Sequence, residues 1–172
     1  MECVAFGFRG GQSSNTRPAI LFFDDIYYSQ LMNVLFICRG NVGRSQMAEA
    51  FFRQLDQNSN FATSAGVEAL GDGGIDMNGM FLKERDSSKY VIECMKEMGV
   101  DVSDNKIKRL TPELVRGADR IFMMADPDTA PDYLQNSGKV VYWSVIDPCG
   151  RTLESHRAIR DEVEKLVRGI IE

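Results

Sequence analysis

Hydrophobic positions along the chain form short unbroken runs that alternate with segments of helical spacing. The first run, NVLFI, ends at Cys38 and is followed by a glycine-rich loop. An unbroken apolar run of this length is typical of a strand buried on both faces of a parallel sheet. Similar short runs predict three further strands, at residues 61–64, 120–124 and 140–143.

Helices are predicted between these strands. Met47, Phe51 and Leu55 recur every fourth residue and predict an amphipathic helix from residue 45 to about residue 57. An apolar stripe through residues 159–170 predicts a last helix that closes the core. The alternation of strands and helices predicts a doubly wound α/β domain. Shorter helical patterns lie at residues 89–98, 111–117 and 127–135.

Two segments fall outside this alternation. Residues 66–86 are rich in glycine and acidic residues, with GVEALGDGGIDMNG at their start. This composition predicts a long mobile connection that is either functional or a tolerated insertion, and we favour the insertion. Residues 1–31 precede the first strand and form an N-terminal extension to which the pattern assigns no role. Met32 is a candidate start of the natural protein.

Composition restricts the class of protein. A chain of 172 residues, 44% of them hydrophobic and 26% charged, is long enough for one domain with a substantial core. The net charge of −5 predicts no general attraction to nucleic acid or to an anionic membrane, so any anion site is expected to be local. No apolar run approaches the roughly 18–20 residues that a membrane span needs, which predicts a soluble protein.

The four cysteines are far apart in the sequence. They form no CxxC pair and accompany no signal peptide, which disfavours a disulfide framework and a zinc site. We therefore expect a cytoplasmic protein with free thiols. The four positions are Cys3, Cys38, Cys94 and Cys149.

The stretch CRGNVGRS places a thiol and two arginines in the loop before the first predicted helix. Unpaired N–H groups and the helix dipole make such a loop a site for anions. Gly40 and Gly43 let the backbone approach a ligand closely, and Arg44 offers a fork of donors to two phosphate oxygens. The nucleotide-binding P-loop is excluded, because it needs four residues between its glycines and a Gly-Lys pair. The GxGxxG fingerprint is absent as well.

The cysteine of this loop is a candidate nucleophile. Each group that stabilises a phosphate dianion also stabilises a thiolate, so the loop favours the reactive form of Cys38. The alternative is a buried structural cysteine at the end of a strand. Arg44, six residues further on, and Ser45, at the predicted helix start, favour the nucleophile.

Residues 38–45 resemble the C-x5-R-S signature loop of the low molecular weight protein tyrosine phosphatases and of the arsenate reductases that share their fold. The resemblance covers roughly residues 33–171 and continues through QMAEAFF, TSAG, GVDVSDNKIKRLT, ADRIFMMA and VIDP in the family's order. It implies a flavodoxin-like three-layer α/β domain over residues 32–172. A four-stranded parallel sheet and a phosphate-binding loop after the first strand are the expected architecture.

The resemblance also implies a mechanism without metal or cofactor. Cys38 attacks phosphorus and forms a cysteinyl phosphate, while the loop N–H groups and Arg44 hold the phosphoryl oxygens. Asp147, in an Asp-Pro pair, protonates the departing oxygen and then activates the water that hydrolyses the intermediate. Ser45 is expected to hydrogen-bond the thiolate and Asn41 to brace the loop. The other phosphate-binding positions that the family implies are Arg39, Gly40, Val42 and Gly43.

Three places depart from the family pattern. Gly43 stands where members usually carry a second cysteine, so protection of the nucleophile by a disulfide within the loop is excluded. Cys149 and Gly150 follow Asp-Pro, where many tyrosine phosphatases carry tyrosines that form a wall of the substrate pocket. Asp104 and Asn105 replace a histidine that often supports the loop.

The sequence predicts a phosphotyrosine protein phosphatase and leaves other substrates open. Members that act on phosphoarginine tend to carry threonine at the position of Val42, which disfavours that substrate. The SQMAE sequence at 45–49 resembles arsenate reductases, but residues 122–133 lack the redox pair of the thioredoxin-coupled ones, so an external thiol would be the reductant. Cys94 lies on an apolar stripe and is interpreted as core. Cys149 is interpreted as an exposed bystander, although it could resolve an adduct of the nucleophile.

A phosphate-binding or phosphopeptide-binding module is a further alternative. It is disfavoured because a binder has no need of the acid Asp147. The expected partners are a phosphorylated protein, a small phosphomonoester or an oxyanion, with a thiol reductant if arsenate is the substrate. His156 is expected to be solvated and to take no part in catalysis.

Overall fold

The computed structural model describes residues 31–171, so the extension predicted for residues 1–31 lies outside them except for its last residue. Within the described range, parallel strands form one four-stranded sheet in the order β2-β1-β3-β4. The strands are β1 (Asn33–Cys38), β2 (Phe61–Gly66), β3 (Arg120–Met123) and β4 (Val140–Tyr142). The α-helices of the same range are α1 (Arg44–Leu55), α2 (Lys89–Glu97), α3 (Pro112–Gly117), α4 (Asp132–Gln135) and α5 (Leu153–Ile171).

The order of the strands determines where a ligand can bind. β1 lies between β2 and β3, and the chain passes from β1 to β2 on one side before it crosses to β3 on the other. Ligands of doubly wound sheets bind at this kind of switch point, outside the carboxyl ends of the strands. The glycine-rich loop that follows Cys38 occupies this point.

Alternate residues of β1 face two separate layers of the core. Val34 and Phe36 pack on the side of α1, α2 and α5, whereas Leu35 and Ile37 pack on the side of α3 and α4. All four side chains are at most 1% exposed. The sheet is therefore covered on both faces, and the expected three-layer α/β architecture is confirmed.

One predicted helix is interrupted. The helix expected over residues 127–135 consists of a 3-10 turn at Pro127–Thr129 followed by the short α4. Pro131 lies between them and separates the two, because proline supplies no N–H and disfavours a helical conformation in the residue before it. Ala130 is accordingly extended, with φ −70° and ψ 124°.

The glycine-rich segment 66–86 belongs to the folded domain. Met77 and Leu82 are 2% and 0% exposed and lie in the core with α1 and α2. Leu70 pairs with Asp76 in an antiparallel bridge, and 3-10 turns occur along the segment. The prediction of a mobile connection is wrong here, because the apolar residues between the glycines reach the core.

His156 was expected to be solvated, and the structure corrects this. Its side chain is buried, and Nδ1 donates to the carbonyl oxygen of Thr152 at 2.8 Å. The ring of Tyr90 lies edge-on, 5.5 Å from the imidazole. α5 begins at Leu153, so His156 lies on its inner face one turn before Ile159 and Arg160.

None of the described helices is both long enough and apolar enough to cross a lipid bilayer.

Candidate active site

The loop between β1 and α1 forms a cradle of unpaired N–H groups. No residue in the range 31–171 accepts a hydrogen bond from the backbone N–H of any of residues 39–43. Asn41 holds the left-handed conformation, with φ 55°, which turns the chain back toward α1. The N-terminus of α1 points at the same place, so backbone dipoles and free donors combine into a site for an anion.

The sulfur of Cys38 lies beside this cradle. Cys38 is 3% exposed, and its Sγ is 3.0 Å from Oγ of Ser45. The side-chain amide of Asn41 donates to Oγ of Ser45 at 2.9 Å, so the hydroxyl proton of Ser45 remains for the sulfur. Ser45 is thus oriented to donate a hydrogen bond to the sulfur that the sequence predicted as the nucleophile.

A buried carboxylate lies behind these residues. The same amide of Asn41 donates to Oγ of Ser64 at 2.9 Å, and Ser64 in turn donates to the carboxylate of Glu49. Glu49 is 2% exposed, and its charge is balanced by Lys108 at 2.9 Å and Arg53 at 2.6 Å. A buried charge that is paired and hydrogen-bonded in this way can be held in the interior. Sequence reasoning did not assign Glu49, Ser64 or Lys108, although all three lie within the family motifs given above.

The orientation of the Asn41 amide is fixed by its oxygen. Oδ1 accepts from the backbone N–H of Lys108 at 2.7 Å and from the side chain of Gln46 at 3.1 Å. Gln46 also accepts from Asn105 at 3.0 Å, and Asn105 is one of the residues that replace the expected histidine. The loop is therefore supported at this point by amide side chains.

Arg44 connects the loop to the far side of the sheet. Its guanidinium is buried, and Nη1 donates to the carbonyl oxygens of Met124 and, at 3.0 Å, of Val145. Nη2 donates to Oδ2 of Asp147 at 2.5 Å. Groups that follow β3 and β4 thus hold Arg44, the residue that the sequence predicted as a phosphate ligand.

Asp147 lies at the mouth of the site. Its side chain is 47% exposed, and Oδ1 accepts from the N–H of Cys149 at 3.0 Å. The next residue, Pro148, lies against the loop, since a Cβ on Gly43 would come within 3.0 Å of its Cγ. Gly43, which stands where family members usually carry a second cysteine, is therefore the loop residue that Pro148 contacts.

The chain contains a second Asp-Pro pair, at Asp126. Its carboxylate accepts from the N–H of Asp128 at 3.3 Å and caps the 3-10 turn that follows. Asp-Pro is common in turns of this kind. The structure joins Arg44 to Asp147 and gives Asp126 a local role.

A polar cleft of about 450 Å³ opens over Arg44. Arg39 lies on its rim and donates from Nε to Glu68 at 2.9 Å, and this bond raises the pKa of the guanidinium. The predicted loop residue Val42 is partly buried against the core, and a Cβ on Gly40 would meet only ordinary contacts, the nearest being Cε of Met77 at 3.8 Å. The residues that line the cleft include no aromatic side chain: Arg39, Arg44, Glu68, Ala125, Asp126, Thr129 and Asp147.

The two other described cysteines differ in their surroundings. Cys94 is fully buried on α2, and burial raises the pKa of its thiol to about 11. Cys149 is exposed beside Asp147. The interpretation of Cys94 as a core residue and of Cys149 as exposed is confirmed.

Comparison with known proteins gives consistent similarities. Residues 33–172 match the family model described as low molecular weight phosphotyrosine protein phosphatase. An arsenate reductase of Staphylococcus aureus (strain Newman) is 27% identical over 132 residues, which cover 76% of this chain and 89% of that protein.

Solved structures show the same fold. The low molecular weight protein tyrosine phosphatase from T. tengcongensis is 29% identical, with a TM-score of 0.66 over 81% of this chain and 97% of that one. The YwlE arginine phosphatase from Geobacillus stearothermophilus is 24% identical, with a TM-score of 0.67 over 81% and 90% of the two chains.

Proposed function

Because the chain belongs to the low molecular weight phosphotyrosine protein phosphatase family, we propose that it is a phosphotyrosine protein phosphatase that forms a cysteinyl-phosphate intermediate. One observation carries the proposal. The Cys38 sulfur, 3.0 Å from the Ser45 hydroxyl, adjoins a loop of unpaired N–H groups, and Arg44 ties that loop to Asp147. This arrangement supplies a nucleophile, oxyanion donors and an acid.

The first half of the reaction transfers the phosphoryl group to sulfur. The Cys38 thiolate forms an S–P bond as the P–O bond to the leaving group breaks. The loop N–H groups and Arg44 stabilise the charge on the three equatorial oxygens, which is the main contribution that a protein makes to phosphoryl transfer. Asp147 gives its proton to the departing oxygen, so the product leaves as a neutral alcohol or phenol.

The second half regenerates the enzyme. Water attacks phosphorus, the Asp147 carboxylate takes a proton from that water, and the S–P bond breaks to return the Cys38 thiolate and inorganic phosphate. The Ser45 hydroxyl, 3.0 Å from the sulfur, stabilises the departing thiolate. No step requires a metal ion or a cofactor.

The nucleophile is tested by hydrolysis of phenyl phosphate. Cys38→Ser is expected to lose turnover, whereas Cys149→Ser, a matched change in an exposed cysteine, keeps the wild-type rate. Equal, slow hydrolysis by the wild type and by Cys38→Ser would contradict the phosphatase proposal.

The acid is tested by leaving groups of different basicity. Asp147→Asn is expected to lower kcat for phenyl phosphate by about 10²–10⁴-fold, the usual contribution of general acid catalysis. The loss is smaller for p-nitrophenyl phosphate, because nitrophenolate leaves more readily without a proton. Asp86→Asn, at an exposed aspartate that does not line the cleft, is the matched control. An equal loss for both substrates would assign Asp147 another role.

Arsenate reduction is the second candidate function, and the curated arsenate reductase relatives support it. In that reaction the Cys38 thiolate would form an S–As bond while one As–O bond breaks and its oxygen leaves as water, and an external thiolate would then attack the Cys38 sulfur. Arsenite would leave with the electron pair, and a second thiol would reduce the resulting mixed disulfide. Thiol-dependent arsenate turnover that greatly exceeds phenyl phosphate hydrolysis would favour this function over the phosphatase.

We choose phosphotyrosine over phosphoarginine because the loop carries the branched apolar side chain of Val42. The residues that line the cleft do not include an aromatic side chain that could form a wall for the substrate. Hydrolysis of phosphotyrosine and phosphoarginine peptides of the same sequence compares the two substrates directly. A catalytic thiol is retained most readily in a reducing compartment, so a cytoplasmic location remains a prediction.

A further inference from the structure

The last residue of β2 and the three that follow it, residues 66–69, run along the outer side of the phosphate loop. The N–H of Val67 donates to the carbonyl oxygen of Cys38 at 3.0 Å, and the N–H of Glu68 donates to the carbonyl oxygen of Arg39 at 3.0 Å. Two successive carbonyl groups of the loop are therefore held on this side.

This pairing determines the direction of two N–H groups. In a trans peptide the C=O and N–H bonds point in opposite directions, and the described chain has no cis peptide bond. The N–H groups of Arg39 and Gly40 belong to the peptides whose carbonyls face residues 66–69. They consequently point away from that segment, and neither has an acceptor within residues 31–171.

Gly66 lets the two backbones come this close. A Cβ at this position would lie 2.8 Å from the Asn41 nitrogen, 2.8 Å from the Gly40 carbonyl carbon and 2.9 Å from the Arg39 oxygen. Real Cβ atoms essentially never approach backbone atoms at such distances, so the loop or the strand would have to move.

The strand is the less free of the two to move. The N–H of Gly66 donates to the carbonyl oxygen of Lys108 at 2.8 Å, and the Gly66 carbonyl accepts from the N–H of Leu110 at 2.8 Å. Gly66 also faces Cys38 in the β1–β2 register. A side chain at position 66 would therefore displace the Gly40–Asn41 peptide of the loop.

We propose that Gly66 is a positioning residue for oxyanion binding, and that through it residues 66–69 orient the loop N–H groups toward the anion. This inference deepens the proposed function and rests on the loop being the phosphoryl site. Gly66 contacts no substrate, and its effect passes through the loop backbone.

The first experiment compares Gly66→Ala with Gly117→Ala, where an added Cβ meets no atom within 4 Å. The probe is inorganic phosphate, whose dissociation constant is measured by titration calorimetry without turnover. Gly66→Ala is expected to raise this constant by at least about 10-fold, as for the loss of one charge-assisted hydrogen bond, and Gly117→Ala to leave it unchanged. Phosphate binding by Gly66→Ala with the wild-type constant would overturn the inference.

A second readout separates loop geometry from simple destabilisation. Iodoacetate is an anion that uses the cradle to reach Cys38, and iodoacetamide is a neutral reagent of similar size. The ratio of the two rates of Cys38 alkylation, iodoacetate over iodoacetamide, is expected to fall in the Gly66→Ala protein. Near-UV circular dichroism is used to show that the variant is folded. An unchanged ratio would contradict the proposed role.

Amide hydrogen exchange of the wild type keeps the inference testable if Gly66→Ala does not fold. The N–H groups of Val67 and Glu68 are expected to exchange slowly in the free protein. Those of Arg39 and Gly40 exchange fast and become protected when phosphate is added. Fast exchange at both Val67 and Glu68 in the free protein would overturn the inference.

The two proposals fail in different ways. A wild-type protein that binds phosphate but hydrolyses no aryl phosphate refutes the phosphatase function and leaves the role of Gly66 in anion binding intact. A Gly66→Ala protein with wild-type phosphate affinity refutes the positioning role, whatever its turnover.

Discussion

At the scale of single residues, the site depends on which way each hydrogen bond points. Asn41 donates to the hydroxyl oxygens of Ser45 and Ser64, so each hydroxyl is free to donate its own hydrogen bond to another group. The proton of Ser64 goes to the carboxylate of Glu49, and that of Ser45 goes to the sulfur of Cys38. The Asn41 amide therefore holds the Ser45 hydroxyl as a hydrogen-bond donor to the sulfur.

Ser45→Ala removes the donor nearest to the nucleophile. We expect kcat for phenyl phosphate to fall by about 10-fold to 150-fold, which corresponds to the loss of one hydrogen bond to a charged group. KM changes little, because the loop backbone keeps its N–H groups. Ser87→Ala, at an exposed site far along the chain, is the control. A rise in KM with unchanged kcat would show that Ser45 binds substrate instead of stabilising the thiolate.

Cys94 offers a test of pH dependence. Burial raises the pKa of this thiol from 9.0 to about 11, so between these values the unfolded chain loses the proton while the folded protein keeps it. The stabilising contribution of Cys94 is therefore complete below pH 9 and declines as the pH rises toward 11. We expect the difference in the free energy of unfolding in urea between the wild type and Cys94→Ala to become smaller as the pH rises across this range.

If the difference in the free energy of unfolding between the two proteins stayed constant from pH 8 to pH 11, Cys94 would not be a buried neutral thiol. Alkylation at neutral pH gives an independent check. Iodoacetamide is expected to modify Cys38 and Cys149 in the folded protein and to leave Cys94 unmodified until denaturant is added.

At the scale of elements, α5 is attached to α2 by a cluster of charges. Glu97, in the last turn of α2, accepts from Arg157 at 2.5 Å and from Arg160 at 3.0 Å. Arg160 is 7% exposed and also donates to the carbonyl oxygen of Cys94 at 2.9 Å. Arg160 of α5 thereby satisfies one of the last four backbone carbonyls of α2, which have no acceptor role within their own helix.

The cluster makes the attachment sensitive to acid. The hydrogen bonds from Arg157 lower the pKa of Glu97 from 4.5 to about 2. A depressed carboxyl pKa contributes stability that is complete above pH 4.5 and is lost as the pH falls toward 2. Glu97→Gln is therefore expected to lower the Tm at pH 6, and the difference from the wild type shrinks as the pH is lowered through this window.

Glu164→Gln is the matched control. Glu164 pairs with Arg168 within α5 alone, so its loss is expected to change the Tm much less. Equal shifts for the two variants at pH 6 would show that the contact between helices adds nothing beyond an ordinary surface pair.

At the scale of the whole molecule, the site is assembled from distant parts of the chain. Arg44 follows β1, its carbonyl partners Met124 and Val145 follow β3 and β4, and Asp147 lies 103 residues after it. A doubly wound sheet gathers these segments because the carboxyl ends of all its strands lie at one edge. The candidate site therefore requires the complete sheet.

The division of the chain at residue 32 remains a prediction, and truncation tests it. A protein of residues 32–172 contains the whole family match and every described site residue. We expect it to fold and to keep the kcat/KM of the full chain for phenyl phosphate, because its core is closed by α5. A large loss of activity or of Tm on truncation would show that residues 1–31 belong to the domain.

Much of this fold could be predicted from local pattern. The run that ends at Cys38 and the repeat of Met47, Phe51 and Leu55 predicted β1 and α1 within two residues of their ends. The predicted helix over 127–135 was wrong at Pro131, where a proline already indicated the break. The segment 66–86 was misjudged because its few apolar residues are separated by glycines, and local composition does not show that Met77 and Leu82 reach the core.

The sequence by itself determined the class of the domain, the loop after the first strand and the residue types in it, because hydrophobic periodicity and helix-start chemistry act between near neighbours. Only the tertiary structure decided which distant groups meet them. The Glu49 carboxylate behind Asn41, the Asp147 carboxylate on Arg44 and the contact of Gly66 with the loop all depend on strand order and packing. Hydrogen bonds between residues far apart in the chain leave no periodic signal, so they become visible only when the sheet is assembled.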